Sequence, residues 1–309
     1  MTKDRAIDIC WKNYHCPESI DEAVRLLGRY GGQAQVIGGG TDLLLEIQQG
    51  RRPAVEAMVD TSRIAGLKHI SAEDGHIVIG CAVTHSQIIH NPAIVQGGTC
   101  LAEGCGVIGG PQVRNVGTLA GNVAHALPAG DGTISLLALG GEIEISDAGG
   151  SRWIPLQESF TGPGQSAIDH HRSLLSRLRF RPTAEREGSA FARVMRPQGV
   201  ALPMIAMAAR IRLDSDNFIR DVRICIAPAG PVPRLAEGAM DFLRDGPATA
   251  GQFRQAAEAA VSGLALRDSL FRASKRYREA MIRSQLPVVL SRAVERAGGG
   301  RAVPVGIGQ

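Results

Sequence analysis

The chain has 309 residues, more than one typical domain of roughly 100–200, so two or three packed units are expected. Hydrophobic residues at 44% and charged residues at 21% sit near globular averages, which excludes a wholly disordered chain. A net charge of +4 with 4% aromatic residues supplies neither the electrostatic footprint nor the stacking platforms of a nucleic-acid binder.

No run of about 18 apolar residues predicts a membrane span. The start, Met1 to Asp8, is too polar for a secretory signal, so a cytoplasmic location is expected.

In chain order, Ser19 and Glu22 predict a capping box that opens a helix. Ile20, Ala23, Val24 and Leu27 recur at helical spacing, and Gly31-Gly32 stops the run. Ala34 to Ile37 reads as a buried strand, followed by three glycines. Thr41 is then the expected N-cap of a short helix through Gln49, with Gly50 as its stop and a strand at Val55 to Val59. Strand, glycine loop, helix and strand in so few residues suggest a compact βαβ unit.

His76 to Val83 alternates like a strand, led by the turn signal Asp74-Gly75. Thr84 and Gln87 cap a helix, and a second helical run is expected from Pro92 to Cys105. The glycine-dense segment Gly104 to Gly132 follows, then strands near Glu142–Ser146 and Leu174–Phe180, with 157–172 read as a loop. From Gly188 the pattern becomes three strands, Phe191–Met195, Pro203–Leu213 and Ile219–Ala227, in an antiparallel meander. Amphipathic helices are expected near 233–245, 250–262, 268–284 and 285–297. Strands followed by helices define an α+β unit, and the boundary before it falls near 181–188. The tail from Gly298 is expected to be loose.

The six cysteines form no Cys-x-x-Cys pair, and Cys100 and Cys105 open an iron–sulfur spacing that fails at Ile108. Scattered reduced thiols are the expected state, and no metal site is predicted. Gly104-Cys105-Gly106-Val107-Ile108-Gly109 matches the dinucleotide fingerprint, but a helical run precedes it and Pro111 follows, so it reads as a chance match.

The loop Val36-Ile37-Gly38-Gly39-Gly40-Thr41-Asp42-Leu43 is more informative. Between strand and helix, its glycines either let backbone N–H groups approach a phosphate or serve a tight turn with positive φ. A second loop, Pro111 to Asp131, offers small residues with Thr118, Asn122 and Asp131 as hydrogen-bonding groups. Two such loops suit a pyrophosphate clasped from opposite sides, hence a long dinucleotide such as FAD. His125 lies inside the second loop and reads as positional. His69, His76, His85 and His90 lack metal-ligand spacing, and His170-His171, in a polar loop, are expected to be solvated.

On these loops the chain resembles the FAD-binding medium subunit of the molybdenum hydroxylases, the group of xanthine dehydrogenase, carbon monoxide dehydrogenase and 4-hydroxybenzoyl-CoA reductase. The family's Ala-Gly-Gly-Thr/His-Asp/Ser-Leu-Leu matches Gly38 to Leu44, with Gly in place of Ala. Its Ile-Arg-Asn-x-Gly-Thr-Ile-Gly-Gly-Asn and Ser-Pro-x-x-Asp match Val113 to Asn122 and Leu127 to Asp131, with Ala120 for the first glycine of the pair. The similarity runs from about Tyr14 to Arg296.

The resemblance implies an α+β chain: a two-lobed FAD-binding domain of the vanillyl-alcohol-oxidase (PCMH) type over 1–185, with lobes of about 1–62 and 63–185. A C-terminal domain with a three-stranded antiparallel sheet and helices follows over 186–297, then the tail 298–309. It implies that backbone groups of Ile37 to Thr41, flanked by Val36, Asp42 and Leu43, and those of Thr118, Leu119, Ala120, Gly121 and Asn122 hold the pyrophosphate.

By the same resemblance, Asp131 bonds the ribityl chain, Ile108 is a pocket position and Leu174 packs on the isoalloxazine. Arg193, in Phe191-Ala192-Arg193, takes the place of a lysine that relatives carry nearby, and Met195 to Gly199 departs from the paired-arginine version. The implied function is an electron-transfer subunit that passes electrons from 2Fe-2S clusters of a small subunit through FAD to an external acceptor. A molybdopterin large subunit oxidises the substrate, and the assembly is a dimer of heterotrimers. The alternative is a free-standing FAD-dependent oxidoreductase of the same fold.

Overall fold

The computed structural model describes residues 11–196, 202–270 and 272–300, together with Ala302 and Pro304. The expected departure at Met195 to Gly199 and the expected tail therefore lie largely outside the described residues.

The first lobe is a three-stranded parallel sheet in the order Asn13–His15, Ala57–Asp60, Ala34–Ile37. The last two strands flank the glycine loop and a short helix, which is the βαβ unit expected. Helix Ile20–Arg29 buries Ala23 and Leu27 beside this sheet. Its box is incomplete: Ser19 Oγ accepts from the Glu22 N–H at 3.2 Å, but the Glu22 carboxylate reaches the Glu18 N–H at 2.8 Å, not that of Ser19. The short helix runs Leu43–Gln48 with Asp42, not Thr41, as the capping residue, and without a side-chain bond.

The second lobe is a five-stranded antiparallel sheet in the order Ile70–Glu73, His76–Gly80, Leu174–Phe180, Glu142–Asp147, Gly150–Pro155. Asp74 and Gly75 carry φ of 47° and 74°, the two left-handed residues a tight hairpin requires. At Thr84 the predicted box is complete: Gln87 N–H donates to Thr84 Oγ1 at 3.2 Å, and Thr84 N–H to Gln87 Oε1 at 2.8 Å. The single run expected from Pro92 to Cys105 is two helices, Pro92–Gly97 and Thr99–Gly106, interrupted at Gly98. Gly98 packs there against the Phe180 ring, so a Cβ would sit 2.7 Å from it. The fingerprint-like glycines Gly104 and Gly106 lie inside the second of these helices, not in a strand-to-helix turn. Residues 157–172 hold a small hairpin, Phe160–Gly162 with Gln165–Ser166, where a plain loop was expected.

The C-terminal sheet has four strands, not three: Glu187–Val194, Ile205–Leu213, Ile219–Ala227 and the short Arg234–Leu235. Helices Glu237–Leu243, Ala250–Gly263 and Lys275–Ala297 follow. The last is one helix where two were expected, because it continues through Pro287. Proline there removes one backbone donor and normally kinks or ends a helix. Here Leu286, Val289, Leu290 and Ala293 are fully buried on either side of it, and that packing holds the helix together.

Period-two alternation divides this sheet between two cores. Ile205, Met207, Ala209, Ile211 and Leu213 face the domain's own helices, whereas Ala206, Ala208, Cys225 and Ala227 join the core shared by both lobes. The face turned toward the FAD-binding lobes is thus mostly small side chains, with Phe191 among them, and helices Thr99–Gly106 and Asp131–Ala138 lie close against it. Three arginines of the C-terminal domain reach across. Arg296 bonds Glu103 at 2.7 Å, Arg193 bonds Asp131 at 2.8 Å, and Arg223 donates to the Leu137 carbonyl at 3.2 and 3.3 Å. Glu103 also accepts from the Phe191 N–H at 2.8 Å.

Candidate functional site

The two glycine loops meet at a cleft between the lobes. Gly39 is the point of closest approach: a Cβ there would fall 2.1 Å from the Val116 carbonyl oxygen and 2.8 Å from Gly117 Cα. Gly39 does not have positive φ; Gly40 does, at 67°, and supplies the turn into the helix. The two readings of the glycine run thus apply to neighbouring residues, one for close approach and one for conformation. Across the gap, Thr118 caps helix Leu119–Ala124, its Oγ1 accepting from the Gly121 N–H at 2.9 Å. Asn122 Oδ1 accepts from Thr133 N–H at 3.0 Å and Thr133 Oγ1 at 2.9 Å, tying the loop to the first turn of helix Asp131–Ala138.

Together with the open solvent at its mouth, the cleft holds about 960 Å³ of empty space. Of the expected residues, Val36, Ile37, Gly38, Gly39, Gly40, Thr41, Asp42, Leu43, Ile108, Thr118, Ala120, Gly121, Asn122 and Leu174 line it. Three expected residues stand elsewhere. Leu119 is fully buried in the core, and Asp131 and Arg193 are outside the lining, paired with each other at the domain boundary. Burial pushes the Asp131 carboxyl up to about 7 despite the pull of Arg193, and its Oδ1 has no partner.

Sequence reasoning missed Gln35, Arg52, Thr61, Cys81, His85, Gly117 and His170, which also line the cleft. Most come from elements that only the fold brings together. Arg52 and His125 both bond Glu46, His125 Nε2 at 2.8 Å, so His125 is a strut between the two loops. Burial works to raise the Glu46 carboxyl, but the hydrogen bonds from His125 and Arg52 outweigh it and hold it below its ordinary value. His170 is not solvated as expected. Its carbonyl accepts from Val36 N–H at 3.1 Å, and His171 Nδ1 bonds the Ala34 carbonyl at 2.7 Å, so this segment extends the edge of the first lobe's sheet. Burial lowers both His85 and His170 to about 4, and both rings are neutral at pH 7.

The site fits a pyrophosphate through its backbone. Among the described residues, the N–H groups of Gly39, Gly40, Thr41 and Asp42 have no protein acceptor, and neither does that of Ala120. Free backbone donors converging from both walls of a cleft form a ready anion cradle. Among the described residues, no group of three or more His, Cys, Asp or Glu is placed to hold a metal ion, and no helix is long and apolar enough to cross a membrane.

Two lobes with a glycine-lined cleft, followed by an α+β domain, define a class of flavin-dinucleotide-binding chains. The model of the FAD-binding domain in molybdopterin dehydrogenase matches residues 7–180, and that of the CO dehydrogenase flavoprotein C-terminal domain matches 189–293. The chain belongs to the FAD-binding subunits of the molybdenum hydroxylases, and is an oxidoreductase subunit. It is 30% identical to a xanthine dehydrogenase FAD-binding subunit of Escherichia coli, over 93% of this chain and 97% of that one. It is 29% identical to the carbon monoxide dehydrogenase medium chain of Hydrogenophaga pseudoflava, over 81% and 85%. A solved carbon monoxide dehydrogenase from the same organism superposes with a TM-score of 0.85 at 27% identity, covering 92% of this chain and 97% of that chain. The fold expected from the sequence is therefore the fold found.

Proposed function

We propose that this chain is the electron-transfer component of a heteromeric molybdenum hydroxylase. It carries electrons from 2Fe-2S clusters of a small subunit through FAD to an external acceptor, while a molybdopterin-containing large subunit oxidises the substrate. The observation that carries the reading is the cleft with free amides on both walls, built from the two loops the family shares. The relatives named as subunits and medium chains support partner subunits, and a dimer of heterotrimers is the proposed assembly.

Bound FAD supplies two-electron chemistry that can proceed in single-electron steps, which suits a junction between one-electron clusters and a two-electron acceptor. The chain's own residues have three tasks. Amides of Gly39 to Asp42 and of Ala120 neutralise the pyrophosphate charge; Ile108 and Leu174 present apolar surface and exclude water. Arg193, held by Asp131 behind the cleft, keeps a cation near the domain boundary.

The test mixes the FAD-loaded chain anaerobically with purine, aldehyde and aromatic substrates while flavin absorbance is followed. No bleaching is expected until the large and small subunits are added. Rapid bleaching of the lone chain would overturn the subunit reading in favour of a free-standing oxidoreductase.

A further inference from the structure

The first glycine loop is tied to the second lobe on both sides. Ahead of it, Val36 N–H donates to the His170 carbonyl at 3.1 Å, and His171 Nδ1 bonds the Ala34 carbonyl at 2.7 Å. Beyond it, His125 Nε2 meets Glu46 Oε1 at 2.8 Å. The two ties differ in kind. The first runs through backbone groups at a sheet edge. The second is one side-chain bond to helix Leu43–Gln48, six residues long, of which only Ile47 is buried. A helix so thinly packed is free to shift unless a bond holds it.

Geometry sets the polarity of that bond. The Glu46 carboxylate only accepts, and its other oxygen is taken by Arg52 Nε, so His125 Nε2 carries the proton and donates. His125 Nδ1 stands 3.8 Å from Asp42 Oδ2, too far for a hydrogen bond. The His125 and Glu46 side chains are 14% and 21% exposed, so water competes less for this bond than for a surface pair.

We propose that the His125–Glu46 bond is a latch that sets the spacing of the two amide-bearing walls and thereby the residence time of FAD. His125 is then a positioning residue, acting on the cofactor through Glu46 and the helix that continues from the Gly39 to Asp42 loop. The proposal rests on the cleft being the FAD site. Gly39 already lies against Val116 and Gly117, so this wall has no room to move inward. Outward movement is the remaining freedom, and it stretches the His125–Glu46 bond. A ligand gripped from both walls loses one set of donors when the walls part, because a contact beyond about 3.5 Å is no longer a hydrogen bond.

The experiment dilutes FAD-loaded protein and follows release by flavin fluorescence in wild type, His125→Ala, His125→Gln, Glu46→Ala and the double alanine variant. His125→Ala should release FAD about tenfold faster, the scale of one shielded hydrogen bond to a charged group. Glutamine places a side-chain N–H close to where Nε2 stands, so His125→Gln should stay within about threefold of wild type. The double variant should release FAD no faster than Glu46→Ala alone, since the two residues act through one bond.

Wild-type release in His125→Ala, with only a lower unfolding midpoint of the cofactor-free protein, would make the bond a fold contact and overturn the proposal. Equal acceleration in the alanine and glutamine variants would overturn it too. So would effects that multiply in the double variant, which would mean that His125 acts on FAD independently of Glu46. Gly39→Ala in the same assay separates the two readings. If it also holds and releases FAD like wild type, the cleft itself is misassigned; if it loses FAD while His125→Ala does not, the cleft stands and only the latch falls.

Discussion

The cleft and the boundary between the two domains both gather polar groups, but they are finished differently. At the boundary, Glu103 is met by Arg296 and the Phe191 N–H, and Arg223 is met by the Leu137 carbonyl, while Asp131 Oδ1 and Arg210 Nε have no partner. In the cleft, the amides of Gly39 to Asp42 and one nitrogen each of His85 and His170 are left open. Unpartnered side-chain atoms occur outside the cleft as well, at Arg186, Arg210 and Arg278, so what sets the cleft apart is that its free backbone donors converge on one space. Donors left open on facing walls are available to an anionic ligand, which is what the boundary, with its carboxylates already paired to arginines, does not offer.

The strongest way to break the boundary is to remove one partner of a buried pair. Glu103→Ala leaves Arg296 and the Phe191 N–H without their carboxylate, and a loss of about 3–5 kcal/mol is expected in urea unfolding, the usual scale for a stranded buried charge. A loss under about 1 kcal/mol would mean that water reaches the boundary.

The matching change in the cleft is Gly39→Ala. One methyl group 2.1 Å from the Val116 oxygen must push the two loops apart. FAD content should fall more than tenfold, with a smaller cost of about 1–3 kcal/mol in stability and an unchanged far-UV spectrum. Normal FAD content would show that the walls can separate without consequence.

The third effect is smaller and has opposite signs in the two regions. His85 and His170 have folded values near 4, below the ordinary 6.5, so the unfolded chain takes up protons first and their stabilisation, present above pH 6.5, is lost as pH falls toward 4. Asp131 has a folded value near 7 against an ordinary 3.8, so its contribution is fully present below 3.8 and lost as pH rises through 7. Between these limits the cleft histidines and the boundary carboxyl pull against each other. Unfolding midpoints across pH 4 to 7 should therefore show a shallower acid loss in His85→Gln and a steeper one in Asp131→Asn. Parallel profiles for the three proteins would remove both groups from the account.

What the sequence made legible follows the same division. Strand Leu174–Phe180 and helix Ile20–Arg29 were readable because each buries one periodic face, and the glycine loops because close approach leaves no alternative residue. Strands Ile70–Glu73 and Gly150–Pro155 were not, since they lie at sheet edges with largely exposed side chains and no apolar alternation. Helix Asp131–Ala138 was hidden for the opposite reason: every one of its residues is buried, so no polar face marks a period. His170 was misread as solvated because its surroundings, the Ala34–Ile37 strand and Ala124, are far from it in sequence. Asp131 and Arg193 were placed at the cofactor through the resemblance, and the structure finds them bonded to each other behind the cleft.

The His171 bond to the Ala34 carbonyl spans 137 positions, and Leu174–Phe180 is the central strand of the second lobe's sheet. Neither the extension of the first sheet's edge nor the middle of the second sheet exists before that segment has been synthesised. A nascent chain released from the ribosome up to residue 165 therefore has both glycine loops but lacks the His170 wall and the strand that carries Leu174. Cofactor loading is accordingly an event of the completed domain, and supply of FAD during translation offers no early foothold for folding.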